Sequence, residues 1–210
     1  MTLRDEIKIP IAHGTEQQVE TLICRLGAKR QHVSRRVSSF YFDTKDLKFY
    51  RDSMEGVYPR IKIRLRSYSD PSTPLEILPT TVFNLEKKIG TSLGDQKCVE
   101  TYQDAMRALL IGLSIENTHL QKVCFISYVR DYYVLGHVRL TIDRNLRFAR
   151  EIGGINKNLV CSDSVLEIKT GNFNLASQLV AKLGLQSKRF SKYCTCVELV
   201  GLLDRVAFGV

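Results

Sequence analysis

The amino-acid sequence predicts an α+β fold: a closed antiparallel eight-stranded β-barrel with a charged lumen and flanking helices. Three observations lead to this prediction. Strand-like segments alternate apolar and charged residues, the charged positions are rich in Arg and Lys, and the predicted helices carry apolar stripes that need a surface to cover. A chain of 210 residues can build one sizeable core, so residues 1–210 are predicted to form a single domain.

The first elements follow from local signals. A strand is predicted over 4–11, where charged and apolar residues alternate. A helix is predicted over 15–26, because Thr15 and Gln18 match a capping-box pair and Gly27 follows as a stop.

The later elements rest on β-branched and aromatic runs for strands and on the spacing of apolar residues for helices. Between them lie turn-forming segments, such as the loop over 70–79 with its three prolines and the hairpin turn at Gly136. Helices are predicted over 100–111 and 173–183. Further strands are predicted over 37–43, 60–68, 82–89, 123–133, 137–143, 165–169 and 194–200.

The charged faces of the strands carry the functional argument. Successive side chains on a strand point to opposite faces, so residues 60–66 place four cations on one face and three aliphatic residues on the other. Taken alone, this pattern is that of an amphipathic strand with one face in water. Several strands repeat it, however. Their polar faces are Arg60, Lys62, Arg64 and Arg66; Glu6 and Lys8; Glu86 and Lys88; Tyr128, Arg130 and Tyr132; Arg139, Thr141 and Asp143; and Glu167 and Lys169.

A barrel whose charged face lines the lumen, with helices on its apolar outer face, accommodates all of these strands. Such a lumen would repel itself unless an anion filled it. Arg offers paired planar donors that suit phosphate oxygens, and Lys adds point charges. The sequence therefore predicts a tunnel for a linear triphosphate or a longer phosphate chain.

The overall charge agrees with an anionic partner. The chain has 31 Lys and Arg against 22 Asp and Glu, a net charge of +9. This excess is compatible with nucleic acid, a membrane surface or phosphate compounds. Recognition modules for single-stranded nucleic acid usually interleave exposed aromatic residues with basic ones, whereas here the aromatic residues alternate within strands. No nucleic-acid partner is therefore expected.

The location of the protein is predicted to be cytoplasmic. No apolar run has the length of a membrane span, and the first eight residues do not resemble a secretory signal. The six cysteines and four histidines lack the spacing of a zinc site, and the closest pair, Cys194 and Cys196, is interpreted as free thiols in a reducing compartment. Any membrane partner would be a separate protein.

Several segments together resemble the VTC domain, a polyphosphate polymerase domain in the triphosphate tunnel metalloenzyme superfamily. Each match is weak alone, but their order and spacing extend from Glu6 to Tyr193. The matching segments are Tyr-Phe-Asp-Thr at 41–44, Ile-Arg-Leu-Arg-Ser-Tyr at 63–68, Leu-Glu-Lys-Lys at 85–88, Ser-Tyr-Val-Arg at 127–130, Val-Arg-Leu-Thr-Ile-Asp at 138–143, Val-Leu-Glu-Ile-Lys at 165–169 and Arg-Phe-Ser-Lys-Tyr at 189–193.

The resemblance implies that ATP donates its terminal phosphoryl group to a polyphosphate chain, with Mn²⁺ or Mg²⁺ as the cofactor. The acceptor phosphate is then the nucleophile, so no nucleophilic side chain is required. The resemblance implies catalytic roles for Arg64, Arg66, Lys88, Arg130 and Lys192. It implies phosphate binding by Lys8, Lys62, Tyr128, Arg139, Lys169, Arg189 and Ser191, and metal binding by Glu167, Glu86 and Glu6.

Simpler interpretations of single residues remain open at this point. Glu86 and Glu167 could only balance neighbouring lysines as lumen ion pairs. Asp143 is equally compatible with a turn at a strand end and with a metal site. Tyr41 and Asp43 are interpreted as packing and turn residues. The basic pair at 35–36 is interpreted as solvated surface, and Arg60 as a residue of the tunnel mouth or of the solvated surface.

Two other functions also remain open. The first is a hydrolase of inorganic or organic triphosphates, like the CYTH class. Those enzymes resemble one another in a Glu-x-Glu-x-Lys motif on the first strand, where this chain has Arg4 in place of the first acid. The loss of a carboxylate favours phosphate binding over a two-metal hydrolytic site. The second is a polyphosphate-binding module without catalytic activity.

Overall fold

One large antiparallel sheet organises the computed structural model, which describes residues 5–73, 81–92, 94–104, 107, 111, 114–115, 118–152 and 155–208. Its strands are β1 (Asp5–Ile11), β2 (Lys29–Asp43), β3 (Arg60–Ser69), β4 (Phe83–Thr91), β5 (Gly94–Tyr102), β8 (Gln121–Leu135), β9 (Val138–Ile152), β10 (Ile155–Cys161) and β11 (Ser164–Thr170). A two-stranded sheet pairs β6 (Ser114–Ile115) with β7 (Thr118–His119). The helices are α1 (Glu16–Arg25), α2 (Lys48–Glu55), α3 (Phe173–Lys182) and α4 (Lys192–Phe208).

The large sheet is strongly curled but open. Its strands follow the order β1-β11-β9-β8-β2-β3-β4-β5, and β10 pairs with β9. Across the described residues, no ladder joins β5 back to β1. Glu6 of β1 nevertheless lies 3.6 Å from the Lys88 ammonium of β4, so the two ends of the sheet approach each other. The predicted α+β class and antiparallel sheet are confirmed, whereas the predicted closure into a barrel is not.

The strand register brings the charged positions to the concave face. Residues directly opposite each other in an antiparallel pair share a face. Tyr41 lies opposite Arg64, which lies opposite Glu86 on the next strand. Lys8 likewise lies opposite Glu167. The alternation of charged and apolar residues in the sequence therefore correctly predicts that these side chains share one face of the sheet.

The convex face packs against helices α1 and α3. Ile9 of β1 and Leu166 of β11 form a core with Ile23 of α1 and Leu179 of α3, and all four side chains are buried. Gly27 follows α1 with a φ of +97°, a left-handed conformation that glycine adopts without strain. The predicted helices over 15–26 and 173–183 are confirmed by α1 and α3.

Helix α4 lies on the concave side of the sheet. Tyr193, Val197 and Val200 recur at helical spacing and pack with buried residues such as Tyr128 and Phe148. The prediction of a strand over 194–200 was wrong, because a short run of apolar residues fits a strand and a buried helix equally well. Cys194 and Cys196 thus belong to a helix, and both thiols are free.

Other differences concern elements with weak local signals. Residues 100–102 belong to β5, where Glu100 lies opposite Leu85 and Tyr102 opposite Phe83, so the start of the helix predicted over 100–111 was wrong. Most of the rest of that segment lies outside the described residues, as does most of the loop predicted over 70–79. Helix α2, strand β10 and the polar first half of β2 were not predicted, because none shows a regular apolar pattern.

None of the four described helices combines the length and the apolar character that a membrane span requires.

Asp43 connects the end of β2 to both α2 and α4. Its buried carboxylate accepts hydrogen bonds from the backbone N–H groups of Thr44, Phe49 and Tyr50, at 2.7–2.9 Å, and from the Tyr193 hydroxyl at 2.5 Å. The sequence interpretation of Asp43 as a turn residue is in line with these contacts.

The Asp43→Ala variant should lose about 3 kcal/mol of unfolding free energy, because several buried donors lose one charged acceptor. Urea unfolding followed by circular dichroism measures this loss. Asp70→Ala is the control, since the exposed Asp70 carboxylate accepts hydrogen bonds only from Ser72 among the described residues. Equal midpoints for the two variants would contradict the assignment of Asp43 as an anchor.

Candidate anion-binding tunnel

The curled sheet encloses a cavity of about 670 Å³ on its concave side. We call this cavity the tunnel. Among the described residues, ten Lys or Arg side chains line it, against two Glu side chains. Its lining cations are Lys8, Lys62, Arg64, Arg66, Lys88, Lys97, Arg130, Arg139, Lys169 and Lys192, and its lining carboxylates are Glu6 and Glu167. Such a surface is suited to an anion that carries several charges.

One wall of the tunnel is organised by Glu86. Its buried carboxylate accepts from Arg64 Nε at 2.7 Å and from Lys97 Nζ at 2.8 Å, and it lies 3.7 Å from Arg66. Burial alone would raise the pKa of Glu86, but Arg64 and Arg66 outweigh burial and lower it to about 2. Arg64 also donates to the Tyr41 hydroxyl at 2.7 Å, so its guanidinium is fixed from two sides.

The opposite wall holds a second cluster around Asp143 and Glu167. Arg130 donates two hydrogen bonds to the Asp143 carboxylate, at 2.5 and 2.7 Å, and lies 3.1 Å from Glu167. Lys192 of α4 bridges the same two carboxylates at 2.6 and 3.1 Å. Burial opposes ionisation of Glu167, yet Arg130 and Lys192 hold its pKa well below the usual range. The carboxylate is therefore ionised and engaged.

Glu6 neutralises a third group of cations. It lies 3.1 Å from Lys8, 3.6 Å from Lys88 and 3.9 Å from Lys169. Burial raises the pKa of Glu6 and the nearby Glu167 raises it further, but Lys8, Lys169 and Lys88 together lower it to about 2.

Lys62 is a tunnel cation without a carboxylate partner on the described walls. Its ammonium donates to Ser191 Oγ at 3.1 Å, and no described carboxylate lies within ion-pair distance. Burial, followed by repulsion from Lys8 and Lys88, lowers the pKa of Lys62 to about 8. A bound anion would supply the missing compensation.

The first turn of α4 adds a further positive element. Ser191 precedes the helix, and its hydroxyl accepts from the Cys194 N–H at 3.4 Å. Ser191 and Lys192 line the tunnel, so the helix begins at the tunnel wall. Unpaired N–H groups and the helix dipole make such a terminus favourable for anions.

A second cavity of about 370 Å³ adjoins the tunnel and shares Glu6, Lys8, Lys62, Lys88 and Ser191 with it. We call it the cationic mouth. Three further cations line it, namely Arg60, Lys188 and Arg189. Arg189 donates to the backbone carbonyl of Ser53 in α2.

The structure brings most of the residues proposed from the sequence together. Thirteen of the fifteen line the tunnel: Glu6, Lys8, Lys62, Arg64, Arg66, Lys88, Tyr128, Arg130, Arg139, Glu167, Lys169, Ser191 and Lys192. Arg189 lies in the cationic mouth, and Glu86 lies behind Arg64. The three residues proposed as metal ligands do not lie together. Glu6 and Glu167 share one wall of the tunnel, and Glu86 belongs to the other.

Some residues of the site were missed or undervalued from the sequence. Lys97 lies on β5, which was not predicted as a strand. Asp143 is the bidentate partner of Arg130, and its position on the same face as Thr141 was a usable signal. Tyr41 was interpreted from the sequence as a packing residue. It does stack on Tyr193, with ring centroids 5.2 Å apart, but it also lines the tunnel and accepts from Arg64.

A divalent metal fits these walls only together with a substrate. No cluster of three acidic, His or Cys side chains suited to a metal occurs in the described part of the chain. Mg²⁺, however, commonly takes one or two carboxylates plus substrate phosphate oxygens. Glu6 and Glu167 meet that need, and the buried hydroxyl of Thr141, opposite Glu167 in the ladder, has no hydrogen-bond partner among the described atoms.

Solved structures share this fold at low sequence identity. A Pyrococcus horikoshii protein is 14% identical with a TM-score of 0.58, and the match covers 90% of this chain and 99% of that one. A Vibrio parahaemolyticus protein described as a candidate adenylate cyclase is 12% identical, with a TM-score of 0.55 and coverages of 90% and 95%. A candidate adenylyl cyclase from Hippeastrum, for which a dominant triphosphatase activity is described, is 12% identical, with a TM-score of 0.51 and coverages of 92% and 96%.

No curated protein matches the chain at the level of sequence. The family described as the VTC domain matches residues 3–200, which include every described strand, the first three helices and the first half of α4. This match covers most of the chain, so the chain belongs to the VTC domain family.

Proposed function

We propose that the protein is a metal-dependent polyphosphate polymerase that uses ATP. An oxygen of the terminal phosphate of the polyphosphate acceptor attacks the γ-phosphorus of ATP. The bond between that phosphorus and the β,γ-bridging oxygen breaks, and ADP leaves with the bond electrons. The acceptor chain is then one phosphate longer.

The observation that carries this proposal is the unbalanced charge of the tunnel. On the described walls, cations outnumber carboxylates ten to four even when Glu86 and Asp143, which contact the cations, are counted. Uncompensated buried cations are costly, and a phosphate chain removes that cost by placing oxygens among them. The contacts of Arg64 with Glu86 and Tyr41, and those of Arg130 with Asp143 and Glu167, use only part of the five N–H donors of each guanidinium. The remaining donors are left for a ligand.

The ionised state of the tunnel carboxylates favours transfer of the phosphoryl group to phosphate over its transfer to water. A general base works best when its pKa lies near the working pH. The pKa of Glu6 and that of Glu86 lie at about 2, and that of Glu167 is also strongly lowered. These groups are poor proton acceptors at neutral pH. An ionised phosphate acceptor needs no such base, whereas water does.

The side chains would act by positioning and by charge neutralisation. The guanidinium groups of Arg64, Arg66 and Arg130 would hold non-bridging oxygens in fixed directions, and Lys192 would add a point charge from α4. Glu6 and Glu167 would hold Mn²⁺ or Mg²⁺ together with phosphate oxygens. The metal, when bound, supplies further neutralisation of the charge on the transferred group.

A triphosphate hydrolase is the second candidate. The triphosphatase activity described for the Hippeastrum protein, which shares the fold, favours it. Both reactions use the same cations to bind a triphosphate, and they differ in whether water or phosphate attacks.

The incubation of purified protein with ATP, Mn²⁺ and a short polyphosphate primer should give long chains and a matching amount of ADP. Arg64→Gln should slow chain growth by about 100-fold or more, because it removes a fixed donor from the transferred group. Arg51→Gln is the control, since the exposed Arg51 of α2 pairs with Asp46 and neither residue lines the tunnel. Stained gels and an ADP assay measure the two products.

Free phosphate from tripolyphosphate, without any polymer, would assign the protein to the hydrolases. Tight polyphosphate binding with neither product would assign it to the binding modules. Full polymer synthesis by Arg64→Gln would contradict the placement of the reaction in this tunnel.

Polyphosphate affinity should fall about tenfold between pH 7 and pH 9 because of Lys62. With a pKa of about 8, its ammonium is charged below that pH and becomes neutral above it, so an electrostatic contact is lost as the pH rises. Long polyphosphate is the appropriate ligand, because its internal phosphates stay fully ionised over this range. Titration calorimetry at several pH values gives the profile.

Lys62→Arg should flatten this profile, because a guanidinium stays protonated throughout. Lys62→Met should show weak binding at every pH. A wild-type profile that matches that of Lys62→Arg would rule out Lys62 as the titrating group.

A further inference from the structure

The two ends of the tunnel differ in chemistry. Strand β3 runs along the tunnel from Arg60 to Tyr68, which are eight residues and about 26 Å apart. Arg60 lines the cationic mouth, whereas Tyr68 lines the tunnel without contributing to that mouth.

The end of the tunnel at Tyr68 carries exposed or half-buried aromatic rings. Tyr68 is 43% exposed although it lines the cavity. Tyr132 of β8 meets His32 of β2 edge to face, with ring centroids 5.7 Å apart. Tyr132 follows the tunnel-lining Arg130 by two residues on the same strand face and lies opposite Thr141 of β9. We call His32, Tyr68 and Tyr132 the aromatic mouth.

These rings are not explained by the binding of phosphate. An unbranched phosphate chain offers only charged oxygens, for which aromatic rings provide little attraction. Flat heterocycles, in contrast, stack on Tyr and His rings and on Arg guanidinium groups. Arg35, which lies opposite Arg130 and is exposed, adds such a group at the same end.

We propose that the aromatic mouth is the subsite for the nucleobase of the donor nucleotide. The base stacks on Tyr68 and Tyr132 while its triphosphate extends into the tunnel toward Arg66 and Arg130. The cationic mouth, which lacks these rings, takes the polyphosphate chain. This inference rests on the proposed use of a nucleoside triphosphate, and it adds the direction in which the two substrates enter.

The spacing along the strands fits a nucleotide. Tyr68 follows Arg66 by two residues on the same face of β3, and Tyr132 follows Arg130 in the same way on β8. Each ring thus lies about 7 Å along the strand from a tunnel cation. In a nucleotide, one ribose separates the base from the first phosphate, which suits a step of this size.

The test compares a nucleotide with an inorganic chain of three phosphates that lacks the nucleoside. We would measure the affinities of the β,γ-imido analogue of ATP and of inorganic tripolyphosphate by titration calorimetry with Mg²⁺. Tyr68→Ala and Tyr132→Ala should each weaken binding of the ATP analogue about five- to tenfold. Both variants should bind tripolyphosphate within about twofold of wild type, which also shows that they fold. Tyr68→Phe and Tyr132→Phe keep a ring and should bind both ligands normally.

Tyr58→Ala is the matched control at the other end. Tyr58 is 48% exposed and stacks with Arg60, beside the cationic mouth. A selective loss of ATP-analogue affinity in Tyr58→Ala would overturn the proposed direction. Unchanged ATP-analogue binding in both Tyr68→Ala and Tyr132→Ala would overturn the subsite while leaving the tunnel function intact. If wild-type protein bound neither ligand, the proposed function itself would fail, and the subsite with it.

Discussion

The mutual repulsion of the cations on the concave face is the constraint to which the rest of the structure responds. Burial of Lys and Arg side chains is unfavourable unless each finds a partner. Four carboxylates meet this need from different strands: Glu6, Glu86, Asp143 and Glu167. Each contacts two or more cations at once, so the walls hold their charge in fixed positions and keep a positive excess for a ligand.

The convex face and helix α4 stabilise this arrangement of charges. Apolar side chains between the charged ones pack against α1 and α3 and supply an ordinary hydrophobic core. Helix α4 packs on the concave side, where Tyr193 stacks on Tyr41 and donates to Asp43. These contacts place Lys192 between Asp143 and Glu167. A small displacement of α4 would therefore disturb both the core and the charge balance.

The parts of the fold that could be predicted from sequence are those with a local signature. The alternation around Arg64 assigns its strand face without any knowledge of the neighbouring strands, and the apolar spacing in α1 is equally local. The parts of the fold that could not be predicted depend on tertiary structure. The apolar run in α4 is ambiguous between strand and helix until Tyr128 and Phe148 are known to cover it. The partner of Arg130 depends on the register of β9, and closure depends on the curvature of the whole sheet.

The wide separation of the tunnel residues along the chain affects how the protein is made. Lys8 is synthesised well before Glu167, which lies opposite it in the ladder, and before Lys192 of α4. The wall around Asp143 and Glu167 therefore cannot assemble until α4, which carries Lys192, has been synthesised. The contacts of Glu6 with Lys8 and of Arg64 with Glu86 join residues that are closer in sequence. Because contacts between distant parts of a chain form slowly, the wall that holds Lys192 is expected to be the last part of the tunnel to mature.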